Sequence, residues 1–411
     1  MRVLMLNAFH WLKGGVERTV FDETAWLERA GHDVAHFAIR DPQNLPSRFA
    51  DHFAPAADYS ESTPAWRQLA QLPRAIWSAP AERALEGLLR AWRPDVAHVH
   101  APSRYLTPSV IAGLESARVP VVMTLHDFKP WCTNRVLYAR GEVCVRCKGG
   151  RHWHAVAVGC VHRSRLKSLV GALEAYDHDR RGAYRPVRRW IAPSRFVREQ
   201  SIALGADAGR VRVLAHGVEA RAPEDTGQPA EPGPPELPVR FVLYAGRLSE
   251  EKGVRLLPAL ARGIAPTPLV VAGGGPLAGW LAERADSGVR PVGHLGTQAL
   301  AGVRARAAAV VVPSLFPETF GYAVAEAQLD ARPVIASRIG ALTELVEHEV
   351  TGLLVPPGDD AALVAATRNA LAEPERARRW GEAARERARA AFAPEVHTRG
   401  LVAVYEEALQ G

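Results

Sequence analysis

The sequence contains no run of about 18 consecutive apolar residues, so we expect no transmembrane helix. The opening residues, Met1 to Leu6, reach a polar Asn7 too early for the hydrophobic part of a signal peptide. We interpret this segment as the first buried strand of a cytoplasmic protein. The chain has 411 residues, of which 47% are hydrophobic, so it can form ordinary globular cores in two domains or more.

Cysteine is scarce, and all four cysteines lie between Cys132 and Cys160. Disulfides are disfavoured in a reducing cytosol, which leaves unligated thiols or a metal site. Two residues separate Cys144 from Cys147 and small residues follow, an arrangement that resembles a metal knuckle. Four thiolates satisfy tetrahedral Zn²⁺, so a structural zinc site is one expectation and unligated thiols are the alternative. The zinc ligands would be Cys132, Cys144, Cys147 and Cys160, with His152, His154 and His162 as spare candidates.

The sequence also lacks a nucleic-acid recognition motif, although its formal net charge is +7. The excess is local, because residues 151–190 contain nine Lys or Arg and three Asp or Glu, a net charge of +6. Such a basic face attracts anionic lipid headgroups, a phosphorylated acceptor or nucleic acid, and it can equally be an ordinary solvated surface. Without a recognition motif, nucleic acid is disfavoured as a partner. One expectation for this window is peripheral contact with the inner face of a membrane.

Strands and helices alternate along most of the chain. Predicted strands in the first half are 1–9, 34–39, 96–99 and 119–125, with helices at 16–30, 81–92 and 108–116. A second alternation has strands at 239–245, 268–272, 310–312 and 333–336, then helical sequence from 359 with Asp359 or Asp360 as its N-cap. This alternation is typical of α/β folds with a parallel sheet and helices on both of its faces.

We therefore predict an α/β protein with two doubly wound, Rossmann-like domains facing a cleft. The first domain covers residues 1–217 and carries a Cys-rich insert near 128–167. A Pro-rich linker occupies 218–238, and the second domain covers 239–390. Residues 391–411 would form a last helix that crosses back to the first domain. Ligands of such folds bind at the carboxyl ends of strands, so the cleft is the expected site.

The most informative stretch is VVVPSLFPETFGYAVAEA, from Val310 to Ala327. It predicts a short strand, a polar loop that carries Glu318 and a helix that carries Glu326, with seven residues between the two carboxylates. A loop that leads into a helix presents unpaired backbone N–H groups and can bind an anion. The alternative interpretation is a solvated loop glutamate and a helix-surface glutamate.

Three further segments carry residues that suit phosphate or sugar binding. Arg247 and Lys252 lie between Gly246 and Gly253, after a predicted strand. They could face a diphosphate, or they could form a charged surface turn. The glycine spacing of Walker-type loops is absent from this segment. The loop after the first strand contains Gly14 and Gly15 with Glu17 beside them, without the three-glycine dinucleotide fingerprint, so an ordinary tight turn is the alternative. His126 ends another strand, and a lone histidine there can be structural or functional.

In their order and spacing, these motifs resemble the retaining glycosyltransferases of family 4, which have the GT-B fold. The resemblance covers nearly the whole chain, and the second half matches best through the Glu318 stretch, RPVIAS and TGLLVPPGD. Three segments depart from the family pattern. None of them carries an expected donor contact, so they concern the fine substrate specificity and not the class of enzyme. They are Asp330-Ala331-Arg332 before Pro333, Ile339-Gly340, and His216-Gly217-Val218.

The resemblance implies a role for each site residue. Arg247 and Lys252 would hold the donor diphosphate and stabilise the leaving group. Glu318 would hydrogen-bond the hydroxyls of the donor sugar, without being assigned as a nucleophile, and His126 would face that sugar. Other donor-binding residues would be Gly14 and Gly15 near the phosphate, Gly246, Gly274 in a base pocket formed by residues 273–276 and 294–295, backbone groups of Phe320 and Gly321, and Glu326 at the ribose.

The implied activity is transfer of a sugar from a nucleotide-sugar donor to a glycan, glycolipid or other acceptor in polysaccharide or cell-envelope biosynthesis. Enzymes of this type usually need no divalent metal for catalysis, because basic residues replace it. Two alternatives belong to other classes: a nucleotide-sugar epimerase of the same architecture, and a non-catalytic, zinc-stabilised binding protein. An epimerase would not release the nucleotide by transferring the sugar to an acceptor. A binding protein would keep its role if Glu326 were replaced.

Overall fold

The computed structural model describes residues 1–56, 71–219 and 236–411. It divides into two units: unit 1 comprises residues 1–217 and 394–411, and unit 2 comprises residues 218–393. Residues 220–235, which make up most of the predicted linker, lie outside the described residues. Within the described ranges, no helix combines the length and apolar character needed to cross a membrane.

Unit 1 is built on a six-stranded parallel sheet. The strands of the unit are β1 (Arg2–Leu6), β2 (Asp33–Phe37), β3 (Val96–Val99), β4 (Val121–Thr124), β5 (Tyr138–Ala139), β6 (Glu142–Val143), β7 (Val187–Ala192) and β8 (Val211–Val213). The sheet has the order β2-β1-β3-β4-β7-β8, and β5 and β6 form a separate antiparallel pair. The chain runs from β1 to its neighbour β2 and then continues with β3 on the opposite side of β1, so strand order reverses between β1 and β3.

Helices of unit 1 cover both faces of this sheet. They are α1 (Gly15–Arg29), α2 (Leu72–Ile76), α3 (Ala79–Ala91), α4 (Ser103–Leu106), α5 (Ser109–Ser116), α6 (Trp153–Val158), α7 (Arg165–Arg181), α8 (Arg195–Leu204) and the C-terminal helix (Pro394–Gln410). Alternate residues of β1 face opposite cores, since Val3 and Met5 pack with Tyr405 of the C-terminal helix while Leu4 and Leu6 belong to the other core. The strands are therefore buried on both faces, as in other parallel sheets.

Unit 2 repeats the same plan with a second six-stranded parallel sheet. Its strands are β9 (Val242–Ala245), β10 (Leu269–Ala272), β11 (Val289–Gly293), β12 (Ala309–Val312), β13 (Val334–Ser337) and β14 (Gly352–Val355), in the order β11-β10-β9-β12-β13-β14. Its helices are α9 (Leu257–Gly263), α10 (Ala278–Ala282), α11 (Thr297–Arg306), α12 (Tyr322–Leu329), α13 (Leu342–Leu345), α14 (Asp360–Ala372) and α15 (Pro374–Phe392). Strand order reverses between β9 and β12, which are hydrogen-bonded neighbours.

The α/β class and the two doubly wound sheets confirm the prediction from alternation. Helix α3 begins two residues before its predicted start, because the Ser78 hydroxyl accepts a hydrogen bond from the Ala81 N–H at 3.3 Å and Pro80 occupies the first turn. Strand β11 was missed by the sequence analysis. It is a partly exposed edge strand that contains Pro291, a residue found in sheets mainly at edges.

Candidate active site

The carboxyl ends of β9 and β12 bring a lysine and a glutamate of unit 2 into contact. Lys252 Nζ lies 2.7 Å from Glu318 Oε1, and the Ser314 hydroxyl donates to the same oxygen at 2.6 Å. The Lys252 ammonium also lies 4.8 Å from the centre of the Phe316 ring. This is the point of strand-order reversal, where doubly wound folds bind ligands.

The two charges of this ion pair differ in their exposure to solvent. The Glu318 side chain is only 11% exposed, unlike a solvated loop glutamate, whereas the Lys252 side chain is 30% exposed. An ammonium has three hydrogens, so Lys252 can bind Glu318 and still donate to an incoming anion. The pair therefore supplies a positively charged donor at the surface and a fixed carboxylate behind it.

Two glycines allow the loops around Lys252 and Arg247 to approach the ends of neighbouring strands. Gly253 has φ of 73°, and a Cβ there would lie 1.9 Å from the Pro313 carbonyl oxygen. Gly273 has φ of 145°, and a Cβ there would lie 1.9 Å from the Gly246 carbonyl oxygen. A side chain at either position would push the loop away, so both glycines fix the positions of the basic residues.

Arg247 has an exposed side chain, and its backbone is held by hydrogen bonds on both sides. The Tyr244 hydroxyl donates to the Arg247 carbonyl oxygen at 2.9 Å, and the Leu248 N–H donates to the Gly274 carbonyl oxygen at 2.9 Å. Gly274 therefore lies beside the Arg247 loop, and a Cβ added to it would meet open space. The Arg247 backbone is therefore held in place, and its exposed guanidinium is accessible for a forked contact with phosphate.

The second glutamate of the predicted motif lies on α12, which Gly321 precedes with φ of 114°. Glu326 is largely buried and its Oε2 accepts a hydrogen bond from Arg304 Nη1 at 2.7 Å. Arg304, on α11, also donates from Nε to Asp330 Oδ2 at 2.5 Å. Burial raises the pKa of the Asp330 carboxyl, and the Arg304 guanidinium opposes that shift. Arg304 therefore orients the Glu326 carboxylate, a role that the sequence analysis missed.

In unit 1, the predicted glycine loop follows β1 and leads directly into α1. Gly14 and Gly15 are exposed, and α1 begins at Gly15. The Asn7 side chain donates to Glu17 Oε1 at 3.1 Å and to the Phe9 carbonyl oxygen at 2.9 Å, so both ends of the loop are tied together. Exposed glycines at a helix N-terminus leave backbone N–H groups accessible to an anion.

His126 lies at the end of β4 within a row of histidine rings in unit 1. Its Nε2 lies 3.0 Å from His100 Nδ1, and its ring stacks on His216 at a centroid distance of 5.2 Å. Together with Asp127 and Lys129, His100 and His126 line a concave pocket of unit 1. Burial lowers the pKa of His126 to about 3, so its imidazole is neutral near pH 7.

Behind this row, a buried glutamate joins three histidines. Glu23 Oε2 lies 3.4 Å from His100 Nε2 and 3.5 Å from His98 Nδ1, and its Oε1 lies 3.0 Å from His397 Nε2. His397 Nδ1 lies 2.7 Å from the Ala215 carbonyl oxygen and must carry a hydrogen, because a carbonyl only accepts. One further proton is then shared between Glu23 and His397. The Glu23 carboxylate thus links the row that ends at His126 to the C-terminal helix.

The four cysteines of the insert line a single concave surface of unit 1 together with His154. All four are free thiols. The Cys132 thiol is buried and donates to the Asn134 side-chain oxygen at 3.0 Å. His162 follows on the loop after Cys160, with an exposed side chain.

The two units together have the two parallel sheets typical of two-domain glycosyltransferases. Comparison with known proteins identifies the family. The model of Glycosyltransferase Family 4 matches residues 13–221, and the model of Glycosyl transferases group 1 matches residues 239–373. Glycogen synthase from Mycobacterium tuberculosis is 30% identical over 444 aligned residues, which cover 100% of this chain and 96% of that protein. The chain therefore belongs to glycosyltransferase family 4, and it is a glycosyltransferase.

Solved structures show the same fold at lower sequence identity. Sucrose-phosphate synthase from Thermosynechococcus elongatus matches with a TM-score of 0.71 and 22% identity, covering 99% of this chain and 98% of that chain. HepE from Anabaena, in complex with UDP-glucose, matches with a TM-score of 0.67 and 18% identity, covering 99% of each chain. Both support the GT-B architecture that the sequence motifs implied.

Proposed function

We propose that the chain transfers a sugar from a nucleotide-sugar donor to a hydroxyl group of a glycan or lipid-linked acceptor, with retention of the anomeric configuration. The observation that carries this proposal is the contact between Lys252 Nζ and Glu318 Oε1, 2.7 Å long, at the strand-order reversal of unit 2. It combines a cation for a diphosphate with a carboxylate for sugar hydroxyls, which is the pair of functions that a sugar nucleotide requires.

In this proposal, Arg247 and Lys252 bind the donor diphosphate and stabilise the charge that develops when the nucleotide leaves. The exposed Arg247 guanidinium makes a forked contact and the Lys252 ammonium a point contact. Fixed cations aimed at developing negative charge accelerate a reaction because they need no reorganisation as the charge forms. Catalysis then proceeds without a divalent metal, and addition of Mg²⁺ should leave the transfer rate unchanged.

Glu318 is proposed to position the donor sugar, and not to attack it. Its Oε1 already accepts hydrogen bonds from Lys252 and Ser314, and a carboxylate has about four acceptor sites, so it can also accept from sugar hydroxyls. The acceptor hydroxyl attacks the anomeric carbon on the face that the leaving group departs from. The bond between that carbon and the phosphate oxygen breaks, and the hydroxyl proton passes to the released phosphate.

The remaining residues are proposed to bind other parts of the donor. Phe320 and Gly321 offer backbone N–H groups to the phosphate, and Glu326, oriented by Arg304, accepts hydrogen bonds from the ribose hydroxyls. In unit 1, the Gly14-Gly15 loop suits a phosphate and His126 suits a sugar hydroxyl. The names of the relatives include glycogen synthase, a UDP-glucose complex and a GDP-mannose-dependent mannosyltransferase. They make UDP-glucose the first donor to test, followed by GDP-mannose.

The test compares Lys252→Met and Glu318→Gln with the wild-type protein in an assay for nucleoside diphosphate release. We expect each change to lower the transfer rate by about 10²–10³-fold, the usual effect of removing one fixed electrostatic contact. Arg262→Met and Glu283→Gln change exposed charges of the same unit and serve as matched controls. Wild-type rates in Lys252→Met or Glu318→Gln, with thermal unfolding unchanged, would contradict the proposed site.

We also propose that α7 binds an anionic lipid surface. Leu166, Leu169 and Leu173 are 72%, 43% and 54% exposed, and their spacing places them along one side of the helix. Exposed basic residues lie near both ends, including Arg165 and Arg181. Apolar side chains flanked by cations are typical of helices that lie in a membrane interface.

Vesicle co-sedimentation tests this contact. The protein should bind vesicles of phosphatidylcholine with phosphatidylglycerol more strongly than pure phosphatidylcholine vesicles, and added salt should weaken the binding. The combined change Leu166→Ser and Leu173→Ser should abolish it, whereas Leu409→Ser, at a leucine that is 42% exposed on another helix, should not. Equal binding by the double variant and the wild type would exclude α7 as the contact.

A further inference from the structure

The segment between Cys132 and Cys160 contains a buried histidine with one ring nitrogen fixed and the other unpartnered. His152 is 2% exposed, and its Nε2 lies 2.9 Å from Asp179 Oδ2. Its Nδ1 is buried and has no hydrogen-bond partner. Because Asp179 accepts the hydrogen on Nε2, a neutral His152 has a lone pair on Nδ1. A histidine oriented by a carboxylate through its other nitrogen is the usual arrangement around bound zinc.

One cysteine neighbours this histidine directly, and two others neighbour that cysteine. His152 lies beside Cys147 and interacts with it electrostatically, and Cys160 interacts in the same way with Cys144 and Cys147. Cys144, Cys147 and Cys160 are all partly exposed, so a metal ion could reach them from solvent. They line one concave surface.

The fourth cysteine is less suitable as a ligand than His152. Cys132 is 7% exposed, packs within the apolar core of unit 1, and its thiol already donates to Asn134 at 3.0 Å. A metal-bound cysteine must be a thiolate, and an apolar environment disfavours that charge. The Cys132 thiol can satisfy its hydrogen bond where it is, whereas the buried Nδ1 of His152 lacks a partner.

We propose that unit 1 contains a structural Zn²⁺ site formed by Cys144, Cys147, Cys160 and His152, with Asp179 as the carboxylate that orients the histidine. Three thiolates and one imidazole match the tetrahedral ligand sets of structural zinc. Among the described residues, only Glu23, His98 and His100 have ligand atoms that all lie within 4.8 Å of one another, so the thiol side chains must rotate inward when zinc binds.

A metal at this position would connect the β5–β6 hairpin, α6 and α7 through its ligands. Cys144 directly follows the β5–β6 hairpin, His152 precedes α6, and Cys160 follows α6. Asp179 belongs to α7, the helix with the exposed leucines, so the site would also fix α7 relative to the hairpin. The proposed role is therefore to order this segment, and it is independent of the chemistry proposed for unit 2.

Metal analysis of the full-length protein tests the ligand set. We expect one zinc per chain in the wild type and in Cys132→Ser, and loss of zinc in Cys144→Ser and His152→Ala. Asp179→Asn should retain the ligands but weaken zinc binding about 10- to 100-fold. A wild-type protein without zinc, or a Cys132→Ser variant that loses it while His152→Ala retains it, would overturn the proposal.

Cobalt substitution gives a second measurement, which compares only the wild type and Cys132→Ser and does not use the variants that remove a proposed ligand. The thiolate-to-Co²⁺ charge-transfer absorption grows with the number of thiolate ligands. Under the proposal, this absorption is the same in the wild type and in Cys132→Ser, because both supply three thiolates. A fall by about a quarter in Cys132→Ser would show four thiolate ligands and contradict the assignment of His152.

Discussion

The position of the Lys252 side chain depends on the residue that follows it. Gly253 adopts φ of 73°, and its backbone lies against the Pro313 carbonyl at the end of β12. Any Cβ at this position would force the Lys252 loop away from β12, and with it the ammonium away from Glu318. The ion pair therefore requires a glycine that carries no charge and touches no ligand.

We predict that Gly253→Ala lowers the free energy of unfolding by about 2 kcal/mol or more, because left-handed backbone alone costs alanine roughly 1–2 kcal/mol. Donor binding should weaken as well. Urea denaturation followed by tryptophan fluorescence measures the first effect. Gly302→Ala is the control, because Gly302 lies inside α11 with nothing within 4 Å of an added Cβ, and it should gain about 0.5–1 kcal/mol. Equal unfolding midpoints for Gly253→Ala and wild type would refute this account of the loop.

At the residue scale, the sequence indicates the charged groups of the site but not the residues that orient them. Lys252 and Glu318 could be recognised because each lies just beyond a predicted strand. Arg304 could not, because its partner Glu326 becomes a neighbour only when α11 packs beside α12. Ser314 could not, because its contact with Glu318 depends on the conformation of the loop after β12. Glu23 resembles a surface acid of an amphipathic helix, and its burial follows from its contact with His397, far away in the sequence.

At the scale of elements, the structure shows which of two neighbouring aspartates is the N-cap of α14. The sequence is compatible with either Asp359 or Asp360 as the cap. In the structure the cap is Asp359, whose Oδ1 accepts a hydrogen bond from the Ala362 N–H at 2.8 Å. Asp360 is the first helical residue and caps nothing. A capping carboxylate satisfies one of the unpaired N–H groups of the first turn.

Asp359→Ala should therefore lower the free energy of unfolding by about 0.5–2 kcal/mol. Asp360→Ala removes a carboxylate of the same charge from the adjacent position and should have the smaller effect, about 0.3–1 kcal/mol, because only its interaction with the helix dipole is lost. Thermal or urea denaturation of both variants separates capping from charge. A larger loss in Asp360→Ala would contradict the assignment of the cap.

Element types were easier to predict than element ends. The buried strands β3, β4 and β10 are short runs of β-branched and apolar residues, which hydrophobic pattern alone reveals. The helix ends depend on side-chain caps such as Ser78, and the exposed edge strand β11 lacks an apolar pattern. Sequence pattern therefore defines the layers of the fold, while caps and edges need the three-dimensional structure.

At the scale of the whole molecule, ionisable groups are buried mainly in unit 1. Burial holds the pKa values of His98, His100 and His216 well below the usual range. It lowers those of His36 and His126 to about 3. These histidines are neutral in the folded chain and bind protons in the unfolded chain below pH 6.5 or so. Acid therefore favours unfolding of unit 1.

We predict that the stability of unit 1 falls as the pH decreases from about 6.5 towards 3. The unfolded state binds more protons at these five histidines, so the free energy of unfolding rises with pH in this window. The raised pKa values of buried Glu23 and Asp127 act in the opposite direction and reduce this dependence, but two carboxyls do not offset five histidines.

Urea denaturation at pH 7.5, 6.0 and 5.0 measures this dependence. The transition of unit 1 should move to lower urea concentration with each step, and that of unit 2 should move less, because only His294 and His348 of the fifteen histidines belong to unit 2. Replacement of His36 by Gln, which keeps a neutral polar group, should reduce the slope. A unit 1 midpoint that stays constant over this range would contradict the buried, neutral histidines.

The most direct test of the proposed function is binding of a panel of nucleotide sugars to the purified protein, with Arg247→Ala and Glu326→Ala measured in parallel. We predict one strongly bound donor, with affinity reduced by both changes, because Arg247 is proposed to hold its diphosphate and Glu326 its ribose. Failure of every nucleotide and nucleotide sugar to bind would contradict the proposed donor site in unit 2.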